Sequence, residues 1–279
     1  MGKLGFIGGS GLYSVKNVEI IDEISVETPF GQPSDKYIKA NYNGEEVYFL
    51  PRHGSQHSFL PSEVNYLANI YGFKKLGVDC LVSISAVGSL SEELAPGDFF
   101  CPDQFIDWTK GKRKRTFFGN GVIGHVSAAN PVDSNLMKMI IESASSVSEE
   151  IKSVGSYICI EGPQFSTKAE SNIYRSFGAK VIGMTNVPEA FLAKEAGMAY
   201  STIAMITDYD CWKEEHCSVD EIMKVMKGNN EKAQKIIPAI IDNFKKNPIS
   251  PLKENAVGIM TPMESLNDQQ KAIVKVLLN

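Results

Sequence analysis

Between Glu46 and Leu90 the chain reads EVYFLPRHGSQHSFLPSEVNYLANIYGFKKLGVDCLVSISAVGSL. It begins on a short apolar run, EVYFLP (46–51), and ends on a longer one, DCLVSISAVGS (79–89), both strand-like. Between them PSEVNYLANIYGFKKLG (61–77) sets Val64, Leu67, Ala68 and Tyr71 on one helical face, and Gly77 stops that helix. Strand, helix, strand is the beat of an α/β protein.

The beat recurs on the carboxyl side. SYICIEG (156–162) is followed by STKAESNIYRSFG (166–178), with Ala169, Ile173 and Phe177 on one stripe, and then by AKVIGMT (179–185). VPEAFLAKEAG (187–197), whose Pro188 suits a first helical turn, leads into the strand AYSTIAMITD (199–208). The last third changes character. Ser218 and Glu221 form a capping box that opens a long amphipathic helix with Ile222, Met223, Met226, Ile236, Ile237, Ile240 and Phe244 on its apolar side. KKNPISPLKEN (245–255) is a turn or linker, and residues 265–278 form a short terminal helix. The expectation is a central mixed sheet flanked by helices, with ligands where strands give way to loops.

At 279 residues the chain can bury one large core without requiring a second domain. Its 43% hydrophobic and 22% charged residues are those of an ordinary globular protein, and a net charge of -5 disfavours a nucleic-acid or anionic-membrane binder. Cys80, Cys101, Cys159, Cys211 and Cys217 are scattered with no CxxC pair, so free thiols and a cytoplasmic setting are expected. No apolar run approaches the roughly 18 residues of a membrane span.

Four polar clusters sit at predicted strand ends. KLGFIGGSGLY (3–13) spaces its glycines at Gly5, Gly8 and Gly11, which is not the dinucleotide pattern, and YSVKNVEIIDEISVETPFG after it alternates like a strand. No GK[ST] follows, which removes the nucleoside-triphosphate loop, but Ser10 offers a hydroxyl amid open backbone N–H groups for a free phosphate. In PRHGSQH (51–57) Arg52 supplies a planar fork for two phosphate oxygens and His53 an imidazole donor. The HxxxH of His53 and His57 encloses Gly54 and no glutamate, so no metal site is expected. SISAVGSL (83–90) ends a strand on small residues that let a ligand reach backbone N–H groups. TDYDCW (207–212) places Asp208 and Asp210 at a strand end, where they can cap a helix, face water, or grip an amine and a ring nitrogen together. The basic run KGKRKRTFF (110–118) reads as a solvated loop or an oligomer contact.

GGSGLY, PRHGSQH, SAVGSL, DQFIDWTKG, CIEGPQFSTKAES, VIGMTNVPE, LAKEAGMAYSTIAMITDYDCW and SVDEIMKVM occur in the order and spacing of the 5'-methylthioadenosine phosphorylases, a branch of the trimeric purine nucleoside phosphorylases. The resemblance runs from about Lys3 to about Phe244. It implies a three-layer phosphorylase/hydrolase-like fold over residues 1–245, with 246–279 a linker and helix packed on the same domain. It also implies phosphorolysis of 5'-methylthioadenosine, with inorganic phosphate as co-substrate and no cofactor. By that resemblance Ser10, Arg52, His53, Ser85, the backbone of Ala86 and Thr185 hold phosphate, Met184 packs under the ribose, and Phe165 stacks on the base. Related 6-oxopurine enzymes carry FET and TN where this chain has Ser166 and Asp208. An aspartate can accept from an exocyclic amine and, protonated, donate to N7, so the pair points to adenine, with Asp208 the proton donor and Asp210 sharing the amine. Two carboxylates so close should raise one pKa. Val219, Ile222 and Met223 are expected around the methylthio group, with His125 reaching in from a neighbouring subunit of a trimer or dimer of trimers. Gln164 stands where many relatives have arginine, and the segment between Asp210 and Ser218 is shorter than in animal members. A broader purine nucleoside phosphorylase and a non-catalytic nucleoside sensor are the alternatives.

Overall fold

The computed structural model describes residues 2–9, 15, 18–213, 219–253 and 257–278, with the backbone alone for 219–222. In chain order the strands are β1 (Lys3–Gly8), β2 (Glu19–Ile24), β3 (Tyr37–Tyr42), β4 (Glu45–Pro51), β5 (Val78–Ser89), β6 (Phe99–Cys101), β7 (Gln104–Trp108), β8 (Gly124–His125), β9 (Ile151–Ser153), β10 (Ser156–Ile160), β11 (Ala179–Gly183), β12 (Ala199–Asp208) and β13 (Gly258–Ile259). The helices are α1 (Tyr66–Lys75), α2 (Ser134–Ser146), α3 (Lys168–Ser176), α4 (Asn186–Glu195), α5 (Val219–Lys246) and α6 (Asp268–Leu278).

Eleven strands form one mixed sheet, ordered β2-β3-β4-β1-β5-β11-β10-β7, with β12, β6 and β9 branching from β5. The branch is the decisive feature. β12 lies parallel to β5 from Cys80 to Gly88 and so occupies one edge along its length. On the other edge β1 pairs in parallel as far as Gly8 opposite Ile84, and β11 joins antiparallel only at Gly88 and Ser89. Ser85, Ala86 and Val87 therefore lie in a gap between β1 and β11, where among the described residues the backbone of β5 has no strand partner on that side. A split of this kind is where mixed α/β sheets take ligands.

Side-chain alternation divides the core into two faces. Leu4 and Phe6 of β1 and Cys80, Val82 and Ile84 of β5 meet Leu136 and Ile140 of α2 and Ile236, Ile240 and Phe244 of α5. Ile7 and Leu81 face the other way, against Leu67, Ile70 and Phe73 of α1, Ala190 and Ala193 of α4, and Leu277 of α6. Helix α1 is buried well beyond its predicted stripe, from Tyr66 to Lys74, because α4 and α6 cover its outer side. It stops as expected, with Gly77 in the left-handed region at φ +82°.

Helix α3 turns the expected stripe outward. Its buried residues are Ser171 and Tyr174, while Ile173 and Phe177 are 45% and 48% exposed. The apolar stripe points away from this chain's core. The capping-box residue Ser218 lies outside the described residues, as does Cys217. Among the described residues no helix is long and apolar enough to cross a membrane.

Candidate active site

Parallel register carries three of the polar clusters to one place. Gly8 of β1 lies between Pro51 of β4 and Ile84 of β5, so the ends of β1 and β4 come out side by side next to Ser85–Ala86, which β5 still carries. Because β11 runs against β5, its end at Gly183 delivers Met184 and Thr185 to the same gap. Ala86 is exposed there, whereas Ser85 and Thr185 are buried. Ser85 Oγ donates to Asn186 Oδ1 at 3.2 Å, tying the β5 gap to the start of α4. Ser10 itself lies outside the described residues.

Arg52 adopts a different role from an open fork. It is 1% exposed; its Nε donates to Glu189 Oε2 at 2.6 Å and its Nη2 to Glu189 Oε1 at 2.9 Å and Ser83 Oγ at 2.6 Å. Nη1 donates to Ile84 O at 3.3 Å, which leaves one of its N–H groups for an anion. Tyr200 and Asn186 complete this buried network: Tyr200 Oη donates to Glu189 Oε1, and Asn186 Nδ2 donates to Ser83 Oγ and Thr202 Oγ1. Arg52 thus braces these strand-end loops from beneath.

His53 also differs from the expected donor. Its Nδ1 lies 2.8 Å from Phe59 O, and a carbonyl can only accept, so the ring proton sits on Nδ1 and Nε2 carries a lone pair. Burial, then the adjacent Arg52 charge, pull its pKa down to about 4 against the pull of the Phe59 carbonyl. The imidazole is neutral at physiological pH and offers an acceptor.

Asp208 and Asp210 stand on the opposite side of β5. Asp208 pairs with Gly88, and a Cβ on Gly88 would come within 3.1 Å of Asp208 Oδ1 and 3.4 Å of Asp210 Cβ; the glycine leaves room for the Asp208 carboxylate beside the strand, with Asp210 next to it. Asp208 Oδ2 accepts from Thr207 Oγ1 at 2.6 Å. The raised pKa falls on Asp210, pushed up by burial with a contribution from Asp208's charge.

The loop after β10 closes on this pair: Cys211 Sγ donates to Ser166 O at 3.2 Å, and Ser166 Oγ is buried without a partner. Trp212 Nε1 donates to Ser89 O at 2.8 Å, fastening the segment to β5, and the Arg175 guanidinium lies 3.8 Å over the indole ring. Phe165, on the same loop, is 84% exposed.

The remaining expected residues are apart. His125 is exposed on β8, in a separate two-stranded sheet where it pairs with Gly258. Met223 is 59% exposed, and the side chains of Val219 and Ile222 lie outside the described residues. Within KGKRKRTFF, Lys110, Lys112, Lys114 and Arg115 are solvated as expected, but Arg113 is buried at 5% exposure. Glu189, Asn186, Arg113 and Glu161 were not singled out from sequence. The available signal was polarity in an apolar setting, Asn186 and Glu189 flanking Val187-Pro188 and Glu161 ending an apolar strand.

The fold is that of the phosphorylase superfamily, whose model matches residues 3–242. Among curated relatives, the S-methyl-5'-thioadenosine phosphorylase of Geobacter sulfurreducens is 53% identical over 84% of this chain and 82% of its own length. That of Thermosynechococcus vestitus is 45% identical over 99% and 98%. A crystal structure of a methylthioadenosine phosphorylase from an antarctic soil metagenomic library superimposes with a TM-score of 0.93 at 42% identity, covering 100% of this chain and 99% of that one. A mutant adenosine/methylthioadenosine phosphorylase of Schistosoma mansoni, in complex with adenine, gives 0.83 at 33% identity over 88% and 93%. The chain belongs to the S-methyl-5'-thioadenosine phosphorylases of this superfamily.

Proposed function

We propose that the protein catalyses phosphorolysis of 5'-methylthioadenosine to adenine and 5-methylthio-α-D-ribose 1-phosphate, a salvage reaction. The observation that carries this reading is 45% identity to a relative of that name over 99% of the chain.

A phosphate oxygen bonds to the anomeric carbon as the bond from that carbon to N9 breaks, and the electron pair passes into the purine. Adenine is a poor leaving anion, so N7 takes a proton or a strong hydrogen bond as the bond opens. Asp208 is the donor in this reading and Asp210 shares the contact to the exocyclic amine; their approach to Gly88 supports it. Ser10, His53, Ser85, the Ala86 N–H and Thr185 hold the phosphate, with Arg52 beneath them. The unpaired stretch of β5 supports that assignment, since fixed donors around a charged nucleophile supply electrostatic stabilisation without reorganisation. His53 Nε2, a bare lone pair, accepts from a phosphate oxygen that still carries a proton. Met184 lies under the ribose, and Phe165 and Ser166 meet the base. No cofactor takes part.

The active form is an oligomer, a trimer or a dimer of trimers, in which His125 joins Val219, Ile222 and Met223 around a neighbour's methylthio group. Supporting this are the exposed Ile173 and Phe177 stripe, the half-exposed Trp108 beside it, and the position of His125 away from its own chain's gap. Residues 1–245 form the catalytic unit, with 246–279 packed on it through α6. The cytoplasm is the setting, which suits the free Cys80, Cys101, Cys159 and Cys211. Adenosine is a secondary substrate, a reading favoured by the adenosine/methylthioadenosine enzyme among the structural relatives. An apolar 5' wall separates the two by roughly 1–3 kcal/mol.

Release of free adenine in the presence and absence of phosphate, measured for 5'-methylthioadenosine, adenosine and inosine, tests the whole reading. Phosphate-dependent release fastest with the methylthio substrate is expected. No release from any of the three returns the chain to a nucleoside-binding role.

A further inference from the structure

Arg113 belongs to a run of basic residues that is otherwise solvated, yet its guanidinium reaches inward and meets partners with every N–H. Nε donates to Glu161 Oε1 at 2.9 Å. Nη1 donates to the carbonyls of Met184 and Val187, each at 2.7 Å. Nη2 donates to Glu161 O at 2.9 Å and Ile160 O at 3.4 Å. The second carboxylate oxygen of Glu161 accepts from Lys110 N at 2.8 Å, which closes the basic segment over the ion pair. The face of Tyr66 lies 5.5 Å from the guanidinium carbon.

Those carbonyls belong to two different loops. Ile160 ends β10 and Glu161 opens the loop that carries Phe165 and Ser166, while Met184 and Val187 lie on either side of Thr185 at the start of α4. Strands β10 and β11 are hydrogen-bonded only up to Cys159 and Gly183, so beyond that register the loops have no ladder to hold them together. Arg113 stands where the ladder stops. A rigid planar fork with five donors can fix several carbonyls at once; an ammonium on a flexible stem cannot.

We propose that Arg113 is a positioning residue for phosphorolysis: it locks the loop bearing Phe165 and Ser166 to the loop bearing Met184 and Thr185 and thereby sets the base against the phosphate. The inference rests on the subsite assignments proposed above. Each loop keeps its own ligand contacts without Arg113, but their mutual alignment does not survive its loss. Misplacement by about 1 Å can cost on the order of 100-fold in rate while leaving separate binding intact.

The test compares Arg113→Lys, Arg113→Ala and Glu161→Gln with the wild-type chain for kcat on 5'-methylthioadenosine, for the affinity of adenine alone and of inorganic phosphate alone by calorimetry, and for thermal unfolding. Arg113→Lys should lower kcat about 100-fold, with each separate affinity within about threefold of wild type. Added guanidinium should restore part of kcat to Arg113→Ala, and Glu161→Gln should show a smaller fall in kcat of the same pattern. A kcat within about threefold of wild type in folded Arg113→Lys overturns the proposal. Equally fatal is a fall in kcat matched by a fall in folded fraction or by parallel weakening of both ligands, which marks a role in stability alone. If the wild-type chain releases no base from any purine nucleoside, the failure belongs to the proposed function and the variants have no rate to compare.

Discussion

The carboxylate of Asp208 accepts the backbone N–H of Asp210 at 2.7 Å through Oδ1, while the hydroxyl of Thr207 holds its other oxygen at 2.6 Å. The turn thus orients one acid with the backbone of the other, and Gly88 opposite leaves room for the Asp208 carboxylate. Asp208→Asn keeps the shape and one of the two acceptor contacts, the amide nitrogen taking the place of the other oxygen, and it cannot give up a proton. Loss of one general acid lowers rate by about 10²–10⁴-fold. We expect kcat on 5'-methylthioadenosine to fall within that range and inosine turnover to rise, measured by base release. Near-normal turnover of the adenine nucleoside would remove Asp208 from the proton-transfer role.

Asp210 gives a stability prediction with a definite sign. Burial, helped by the charge of Asp208, raises its folded-state pKa above the ordinary carboxylate value. The native chain therefore binds this proton more tightly than the unfolded chain does. The contribution to stability is fully present below the unfolded pKa and is lost as pH rises through the folded value. Asn tolerates the left-handed backbone at this position, φ +53°, so Asp210→Asn removes the charge without straining the turn. Thermal melts should show the variant more stable than wild type at pH 7, with the difference vanishing near pH 4. An equal shift at both values would assign the effect to packing.

His53 titrates in the opposite sense. Its folded pKa of about 4, set first by burial and then by Arg52, lies below the ordinary histidine value. Stability from the neutral ring is complete above the unfolded pKa and is lost as pH falls toward the folded one. Carbon-bound ring protons followed by NMR should titrate near pH 4 rather than 6.5. If Nε2 accepts from a protonated phosphate oxygen, the KM for phosphate should rise with pH as phosphate itself loses that proton. A His53 midpoint at 6.5 would show that burial and Arg52 do not hold the ring neutral in the native chain.

What the sequence disclosed follows from how far each interaction reaches. Runs such as DCLVSISAVGS (79–89) and AYSTIAMITD (199–208) were readable as strands because their apolar continuity is local and both faces are covered by helices. The gap in the sheet was not readable, since it depends on where β1 stops and β11 starts against β5. Arg52 and Arg113 were visible as charges, but Glu189 lies 137 positions from the first and Glu161 lies 48 from the second. Nothing local says that either guanidinium turns inward. The stripe of α3 was visible as apolar, but periodicity identifies a face and not what covers it, and this one faces outward.

The Arg52–Glu189 pair supplies a fourth prediction. Both side chains are 1% exposed, and the carboxylate also accepts from Tyr200. Glu189→Gln turns one acceptor oxygen into a donor aimed at a guanidinium and leaves that charge uncompensated. Breaking a buried pair from one side costs about 3–5 kcal/mol. For a chain of this size each kcal/mol moves the melting temperature by about 2–4 °C, so a fall of roughly 10 °C is expected by calorimetry. The KM for phosphate should rise more than that for nucleoside, because Ser83 and Asn186 lose their brace together. A change below about 1 kcal/mol would show that the network relaxes around the amide.

The outward stripe of α3 gives a test of the proposed oligomer. Ile173 and Phe177 are one helical turn apart, and the Phe177 ring lies 5.4 Å from that of Trp108, which is itself 44% exposed. Apolar groups gathered on a surface in this way mark an interaction face. A carboxylate buried there by association would be strongly disfavoured, so Ile173→Glu and Phe177→Glu should each yield a monomer of 30.6 kDa by light scattering where wild type gives three or six copies. Neither residue belongs to the proposed contacts around phosphate or base. If His125 completes a neighbour's 5' pocket, the monomer should lose its preference for 5'-methylthioadenosine over adenosine while still releasing adenine from both. A monomeric variant with undiminished preference would place the 5' specificity within one chain, on Met223 and its helix.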